Sequence, residues 1–478
     1  MLLVWIVLSL PVVLNAAPAV QFPFGTVRGV DRRAQGTGRV YYTYHGIPYA
    51  EPPVGRRRFQ PPEPYRGADP GRVINSNDFP AICMQPESEE FGATSEDCLF
   101  ISVYAPPTNA TKKVMVYIHG GGFTEGGMRG YVPGRMVTDH EVIVALIQYR
   151  LGALGWLSSG DDVLPGNLGL RDQLLGLKWI KDNIARFGGD PNDITIFGLS
   201  AGGISVSSLS LSPLAKGLFT KVIIQSGSVA APWAINKNPR ALMYQYAEAI
   251  GCKPRFYFPG VTRMYHQNIL NCLMRKKASD LVFEIGSGDG DVLGRGLFSS
   301  SGLNPVLDGD VLPMDPVSII KDETYLRDNG VFDRSYVIGV TNNEGLLLAN
   351  IIAAVPFLTF DQLTLPSNVI GQVRGSAKAQ FPLGVSEEML NVVDFMYTFP
   401  RNADGSIPFQ KVIDLPSDIG FVAPSIALAR AIADNAPVYF YLFDHYPQAL
   451  LSLVPVRYQH LLRRVPKSLR GLDGNCQK

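Results

Sequence analysis

The sequence predicts an α/β fold, a mostly parallel central sheet flanked by helices, and three observations carry that prediction. Gly198-Leu199-Ser200-Ala201-Gly202 stands between a short apolar run, Ile194-Thr195-Ile196-Phe197, and a small apolar stretch, Gly203 to Leu211, that opens a helix. A glycine run, His119-Gly120-Gly121-Gly122-Phe123, directly follows a second strand-like run, Val114 to Ile118. Between such motifs strand and helix patterns alternate. Each chemistry-bearing motif falls just past the carboxyl end of a strand, where open α/β sheets place their sites.

Taken in chain order, residues 1–17 read as a secretory signal. Leu2 to Leu14 is nearly continuously apolar, and Asn15-Ala16-Ala17 offers small residues for cleavage. About 13 apolar residues are too few for a hydrocarbon layer of ~30 Å, which needs roughly 20. No later segment of that length is free of both charge and proline, so the mature chain, 18–478, is expected to be soluble and without a membrane span. Val142 to Ile147 is another buried strand. Leu168 to Phe187 is a helix in which Leu170, Leu174, Leu177, Ile180 and Ile184 recur at three- and four-residue steps, ended by Gly188-Gly189. Ser335 to Val340 and Pro437 to Phe443 complete the strand runs. The less regular stretches, about Tyr244 to Gly294 and Asn350 to Ile413, read as helical insertions that cover the site. Motifs spread from residue 119 to residue 460 belong to one site, so the chain is read as one domain with insertions rather than three.

A Gly-x-Ser-x-Gly pentapeptide at a strand-to-helix turn holds its serine in a strained conformation with the hydroxyl exposed above the sheet. Acyl transfer builds negative charge on the carbonyl oxygen, and each fixed N–H donor aimed at it lowers the barrier by roughly 3–4 kcal/mol. Side chains would obstruct so close an approach, which is why glycines serve. The donors are assigned as the amides of Gly121, Gly122 and Ala201. A serine needs a base and the base an orienting carboxylate, in chain order serine, acid, histidine. Six histidines occur, and His45, His119 and His140 precede Ser200. Glu344, in the loop Thr341-Asn342-Asn343-Glu344-Gly345 beyond a strand, is the predicted acid. Asp308 is the alternative, but its flanks read as a turn. With Glu344 as acid, His266 drops out as well, leaving His445 and His460.

At this point the chain resembles the type-B carboxylesterase/cholinesterase family of α/β-hydrolases, from about Gly25 to about Asp444. The matching motifs include Gly46-Ile47-Pro48-Tyr49-Ala50, Pro52-Pro53-Val54-Gly55, Arg58-Phe59 and Ser95-Glu96-Asp97-Cys98-Leu99. Tyr149-Arg150-Leu151-Gly152, Gly166 to Gln173, Trp179, Phe187-Gly188-Gly189-Asp190-Pro191, the serine elbow and Gln225-Ser226-Gly227-Ser228 continue the series. The resemblance implies Ser200 as nucleophile, Glu344 as acid and no cofactor. It places the base near His460, fifteen residues after His445. Arg457-Tyr458-Gln459-His460-Leu461 lacks the glycine and the acidic residue of the family's Gly-x-x-His-x-x-Glu motif. His445 reads as a strand-end residue.

A secreted chain makes cysteines interpretable. Cys83 pairs with Cys98 and Cys252 with Cys272, each pair closing one surface loop and stabilising by about 3 kcal/mol in the loop-entropy model. Cys476 is left over, free or linking two chains. No CxxC pair or His/Cys cluster suggests a metal. Asn109-Ala110-Thr111 is a glycosylation sequon. A net charge of +1 offers no field for nucleic acid, and Arg56-Arg57-Arg58 and Arg463-Arg464 read as solvated surface. The expected function is a secreted serine carboxylesterase acting on a small uncharged ester. A choline ester fits less well, because the loop between Cys83 and Cys98 contains no tryptophan. The other readings are an inactive, neuroligin-type binding protein and a truncated, non-functional esterase.

Overall fold

A computed structural model of the chain describes residues 18–67, 69–86, 92–254, 260–282, 302–346, 364–367, 369–371, 374 and 386–445. The expected signal segment, His460, Arg463-Arg464 and Cys476 lie outside the described residues. A nine-stranded sheet organises the molecule. Its strands in chain order are β1 (Val30–Arg33), β2 (Val40–Pro48), β3 (Phe100–Ala105), β4 (Lys112–Ile118), β5 (Ile143–Ile147), β6 (Gly189–Leu199), β7 (Lys221–Gln225), β8 (Ser335–Thr341) and β9 (Val438–Phe443). They lie in the order β9-β8-β7-β6-β4-β5-β3-β2-β1. The last three pairings in that order are antiparallel, and β4 to β9 are parallel to one another.

The inner parallel strands are apolar where they cross the core, over Val114 to Ile118, Ile143 to Ile147 and Ile194 to Phe197, because helices cover the sheet there. Ile143 to Ile147 is buried at all five positions, and Val114, Val116, Ile194, Ile196, Val222, Ile224, Tyr336 and Ile338 join one continuous core. The expected helix forms over Leu168–Asn183 and tightens into a 3₁₀ turn, Ile184–Phe187, which Gly188 ends at φ +85°. It turns Leu168, Leu170, Leu177 and Ile180 into the core. The irregular stretches contain helices Pro239–Ala249, Thr262–Arg275 and Glu387–Thr398. Both expected disulfides are formed, Cys83–Cys98 and Cys252–Cys272. One helical run, Gln410–Ala433, is long and apolar enough to cross a membrane by length and composition alone. It is mostly buried within the fold and carries Lys411, Asp414, Pro416 and Asp418.

One reading of the sequence is corrected. Arg56 is exposed, but Arg58 is buried and makes a bidentate pair with Glu96 at 2.6 and 2.5 Å. Its third nitrogen donates to Lys276 O at 2.7 Å, just past the carboxyl end of the Thr262–Arg275 helix, where cations are favoured. This arginine therefore ties the Cys83–Cys98 segment to the insertion.

A second buried pair anchors the helix after β5. Arg150 donates to both carboxylate oxygens of Asp172 at 2.8 and 2.6 Å, and its backbone N–H donates to the same carboxylate at 3.0 Å. The two side chains are 4 % and 0 % exposed. Removing one partner strands a charge in the core, which costs about 3–5 kcal/mol. Asp172→Asn should lower the unfolding free energy by that amount in chemical denaturation. Lys178→Ala, which breaks the solvent-exposed pair with Asp182, should cost under about 1 kcal/mol. Equal losses from the two variants would refute this account of the helix anchor.

Candidate active site

The register of the parallel strands brings their carboxyl ends level. Gly198 stands opposite Ile118, Leu199 opposite Gln225, Gln225 opposite Gly339, and Gly339 opposite Tyr441. The loops that leave β4, β6, β7 and β8 therefore emerge side by side, and they carry the glycine run, Ser200, Ser226 and Glu344.

Ser200 caps the helix Ala201–Leu211 at φ 58°, ψ −124°, a region that residues with a side chain rarely enter and that costs about 1–3 kcal/mol. Surrounding backbone enforces it. The Ser200 N–H donates to Gln225 O at 2.9 Å, and its carbonyl accepts from Ile204 N at 2.9 Å. Helix and strand ends meet at Gly202, where a Cβ would lie 2.1 Å from Ile118 O. The glycine loop meets the elbow at Gly120, where a Cβ would lie 2.5 Å from Leu199 O and 3.3 Å from Ser200 Cβ. Only residues without a side chain fit at these two contacts.

Beyond Gly120 the loop turns through three positive-φ residues, Gly121 (112°), Gly122 (58°) and Phe123 (64°). The N–H groups of Thr124 and Glu125 both donate to Gly121 O at 3.0 Å, so the loop closes on itself. The amides of Gly121 and Gly122 donate to no acceptor among the described residues. Phe123 is fully buried against Trp156, with ring centroids 4.4 Å apart. His119, at the base of the loop, stacks on Tyr149 at 4.4 Å, and Tyr149 Oη donates to the His119 carbonyl at 2.7 Å. Burial holds the His119 imidazole down to about 4, so it is neutral near pH 7.

Glu344 is buried and faces β7. Its Oε1 accepts from Ser226 Oγ at 2.6 Å and from Thr341 N at 2.6 Å. Ser226 was in the sequence motif after β7 but carried no predicted role. Its φ of 48° and its N–H bond to Gly339 O at 2.9 Å aim the hydroxyl at the carboxylate. The acid loop is pinned further by Gly345 N donating to Ser417 Oγ at 2.8 Å and Asn342 N donating to Phe443 O at 3.0 Å.

The remaining candidates separate clearly. Asp308 binds Arg171 at 3.0 Å and caps its own turn through Asp310 N and Leu312 N, which makes it a loop residue. His266 is fully buried with Nδ1 2.6 Å from Asp161 and Nε2 2.8 Å from Tyr244, so both ring nitrogens are occupied. His445 lies exposed just beyond β9. Asn109 is exposed in a turn. Among the described residues no group of three or more His, Cys, Asp or Glu could hold a metal ion.

Comparison with known proteins gives the architecture a family. The model of the carboxylesterase family matches residues 16–467. Carboxylesterase 1F of Mus musculus is 34 % identical over 462 residues, covering 91 % of this chain and 77 % of that protein. Carboxylesterase 3 of Homo sapiens is 31 % identical, covering 92 % and 74 %. Neuroligin-2 of Rattus norvegicus is 35 % identical over 482 residues, covering 90 % of this chain and 54 % of that protein. The chain thus spans about half the length of the neuroligin and about three quarters of the carboxylesterases. It belongs to the carboxylesterase family, and its fold is the α/β-hydrolase fold.

Two outcomes follow from the buried groups. The Ser226–Glu344 hydrogen bond involves a carboxylate and is worth about 1.5–3 kcal/mol, so Ser226→Ala should slow Ser200 labelling by a fluorophosphonate by about tenfold or more, with the fold retained. An unchanged labelling rate would leave Ser226 with no part in holding Glu344. The second outcome concerns stability. Burial lowers both His119 and His45 to about 4, against 6.5 in an unfolded chain. Between these values the unfolded state binds more protons than the folded state, so stability falls as pH drops from about 6.5 towards 4. Urea unfolding at pH 7, 6 and 5 should show that decline; a flat profile would contradict it.

Proposed function

We propose that this chain is a secreted serine carboxylesterase that hydrolyses uncharged carboxylic esters through an acyl-enzyme. The observation that carries this reading is Ser200, held at φ 58° and ψ −124° on a strand-to-helix turn with the glycine loop packed against it. Strain of that kind persists only where surrounding structure imposes it, and it clusters at working sites. Ser200 Oγ attacks the ester carbonyl carbon while His460 takes its proton. The amides of Gly121, Gly122 and Ala201 donate to the oxygen that becomes negative. Glu344, oriented by Ser226, stabilises the imidazolium. The tetrahedral adduct then collapses, the C–O bond to the alcohol breaks, and His460 returns the proton to the leaving oxygen. Water repeats the sequence on the acyl-enzyme, releasing the acid and restoring Ser200. A small, mostly apolar hollow whose lining includes Met84, Pro86, Thr124, Leu281, Val282 and Leu303 lies beside Thr124, just past the glycine loop. The disulfides and the apolar leader support an extracellular setting.

The neuroligin match favours a second reading, an esterase-like binding protein without turnover. Fluorophosphonate labelling decides between them. The full chain should label and hydrolyse a short-chain aryl ester, and Ser200→Ala should abolish both. His460→Ala should lose several thousandfold in labelling rate, whereas His445→Ala should leave it nearly intact. Hydrolysis should fall on acidification through roughly pH 6.5 as a neutral imidazole is protonated; neither His45 nor His119 titrates there. An unmutated chain that does not label favours the binding protein, and a flat profile from pH 5 to 8 would exclude a histidine base.

A further inference from the structure

We propose that Gln85 is a positioning residue for the glycine loop, its buried carboxamide clipping Gly126 to the Cys83–Cys98 disulfide and so fixing the direction of the Gly121 and Gly122 amides. Gln85 is 2 % exposed. Its Nε2 donates to Gly126 O at 2.6 Å, and its Oε1 accepts from Gly126 N at 2.8 Å, as one strand pairs with another. The second Nε2 proton goes to Cys83 O at 3.1 Å. The carboxamide therefore has both donor hydrogens and its acceptor in use, with no freedom to swing away.

Gly126 is where the loop folds back on its own beginning. At φ 113°, a Cβ there would lie 2.4 Å from Gly120 O and 2.6 Å from His119 Nδ1. A clamp on Gly126 is consequently a clamp on the His119–Gly120 peptide. Between the two, the Thr124 and Glu125 amides close the turn on Gly121 O. From outside, the loop backbone is also tied by Gly152 N to Phe123 O at 2.8 Å and by Tyr149 Oη to His119 O. Gln85 supplies the tie on the remaining side. Its own footing is firm, because Cys83 is bonded to Cys98, and Cys98 O accepts from Gln148 Nε2 at 2.8 Å, one residue past β5. A rigid path thus runs from the sheet through the disulfide to the loop.

This inference rests on the esterase reading for its kinetic consequence but not for its structural one, and the test separates the two. Gln85→Met keeps the length and removes both hydrogen bonds to Gly126. Hydrogen exchange at amides 120–126 of the folded chain should quicken by about tenfold or more, with exchange in β4 to β8 unchanged. A trifluoromethyl ketone, whose adduct with Ser200 places an oxyanion at the loop, should bind on the order of 100-fold more weakly. KM for a short aryl ester should barely move. Gln85→Glu supplies an independent check. Its carboxylate faces the carbonyls of Gly126 and Cys83, but once protonated its O–H donates to Gly126 O while its C=O accepts from Gly126 N. The deficit of this variant relative to the unmutated chain, in exchange and in ketone affinity, should therefore shrink as pH falls from 8 to 5.5. Unchanged exchange in Gln85→Met, or a Gln85→Glu deficit that does not vary with pH, would overturn the proposal. An unmutated chain that neither turns over ester nor binds the ketone would fail the esterase reading instead, and the exchange data alone would then decide Gln85.

Discussion

Four loops must reach one point above the sheet with almost no material between their backbones, and the rest of the molecule is arranged around that requirement. Gly202 lies against the carbonyl of Ile118, Gly120 against that of Leu199, and Gly227 against that of Ser200, where a Cβ would approach to 2.3 Å. Such contacts are possible only because the parallel strands end level, and they end level because one hydrogen-bond register runs unbroken from β6 to β9. The apolar strands and their covering helices fix that register. Sheet packing therefore sets the placement of Ser200 more than any single contact made by its side chain.

Electrostatics is distributed on the same plan. Two buried arginines are paired with carboxylates and serve as anchors, Arg150 with Asp172 under the helix and Arg58 with Glu96 beneath the insertion. Groups close to the reacting region are kept neutral or are hydrogen-bonded by short-range donors. His119 is an uncharged platform for the loop. Glu344 is buried, and among the described residues it is held by a hydroxyl and a backbone N–H rather than by a cation. An arginine or lysine beside Glu344 would compete with the imidazolium that the proposed mechanism needs it to stabilise.

Much of this was legible in the sequence wherever the signal was local. The runs Ile194 to Phe197, Val114 to Ile118 and Ser335 to Val340 each lie within observed strands, and the serine elbow and glycine loop follow from residue types at fixed offsets. Glu344 was singled out because an acid was sought just past a strand, and it sits buried against Ser226 there. Signals that depend on distant pairing were not legible. Ser226 and Glu344 are 118 positions apart, and Gln85 and Gly126 are 41 apart, with nothing in the intervening pattern to announce either contact. Arg58 misled for the same reason, since three consecutive arginines look like surface until Glu96 and the helix end supply partners. The Asp161–His266–Tyr244 chain was likewise invisible, because it joins a loop to two insertion helices.

The strained backbone at Ser200 bears on how such a fold changes over time. Glycine is the one residue that occupies φ 58°, ψ −124° without steric penalty. Replacing the serine by glycine would remove the nucleophile and relax the turn in one step, while the loops, core and disulfides around it stayed in place. Destruction of the proposed chemistry is thus energetically downhill for the scaffold. A lineage released from selection for hydrolysis would have a ready route to a sturdier protein whose surface remains available for recognition, because one substitution at this position relieves the turn.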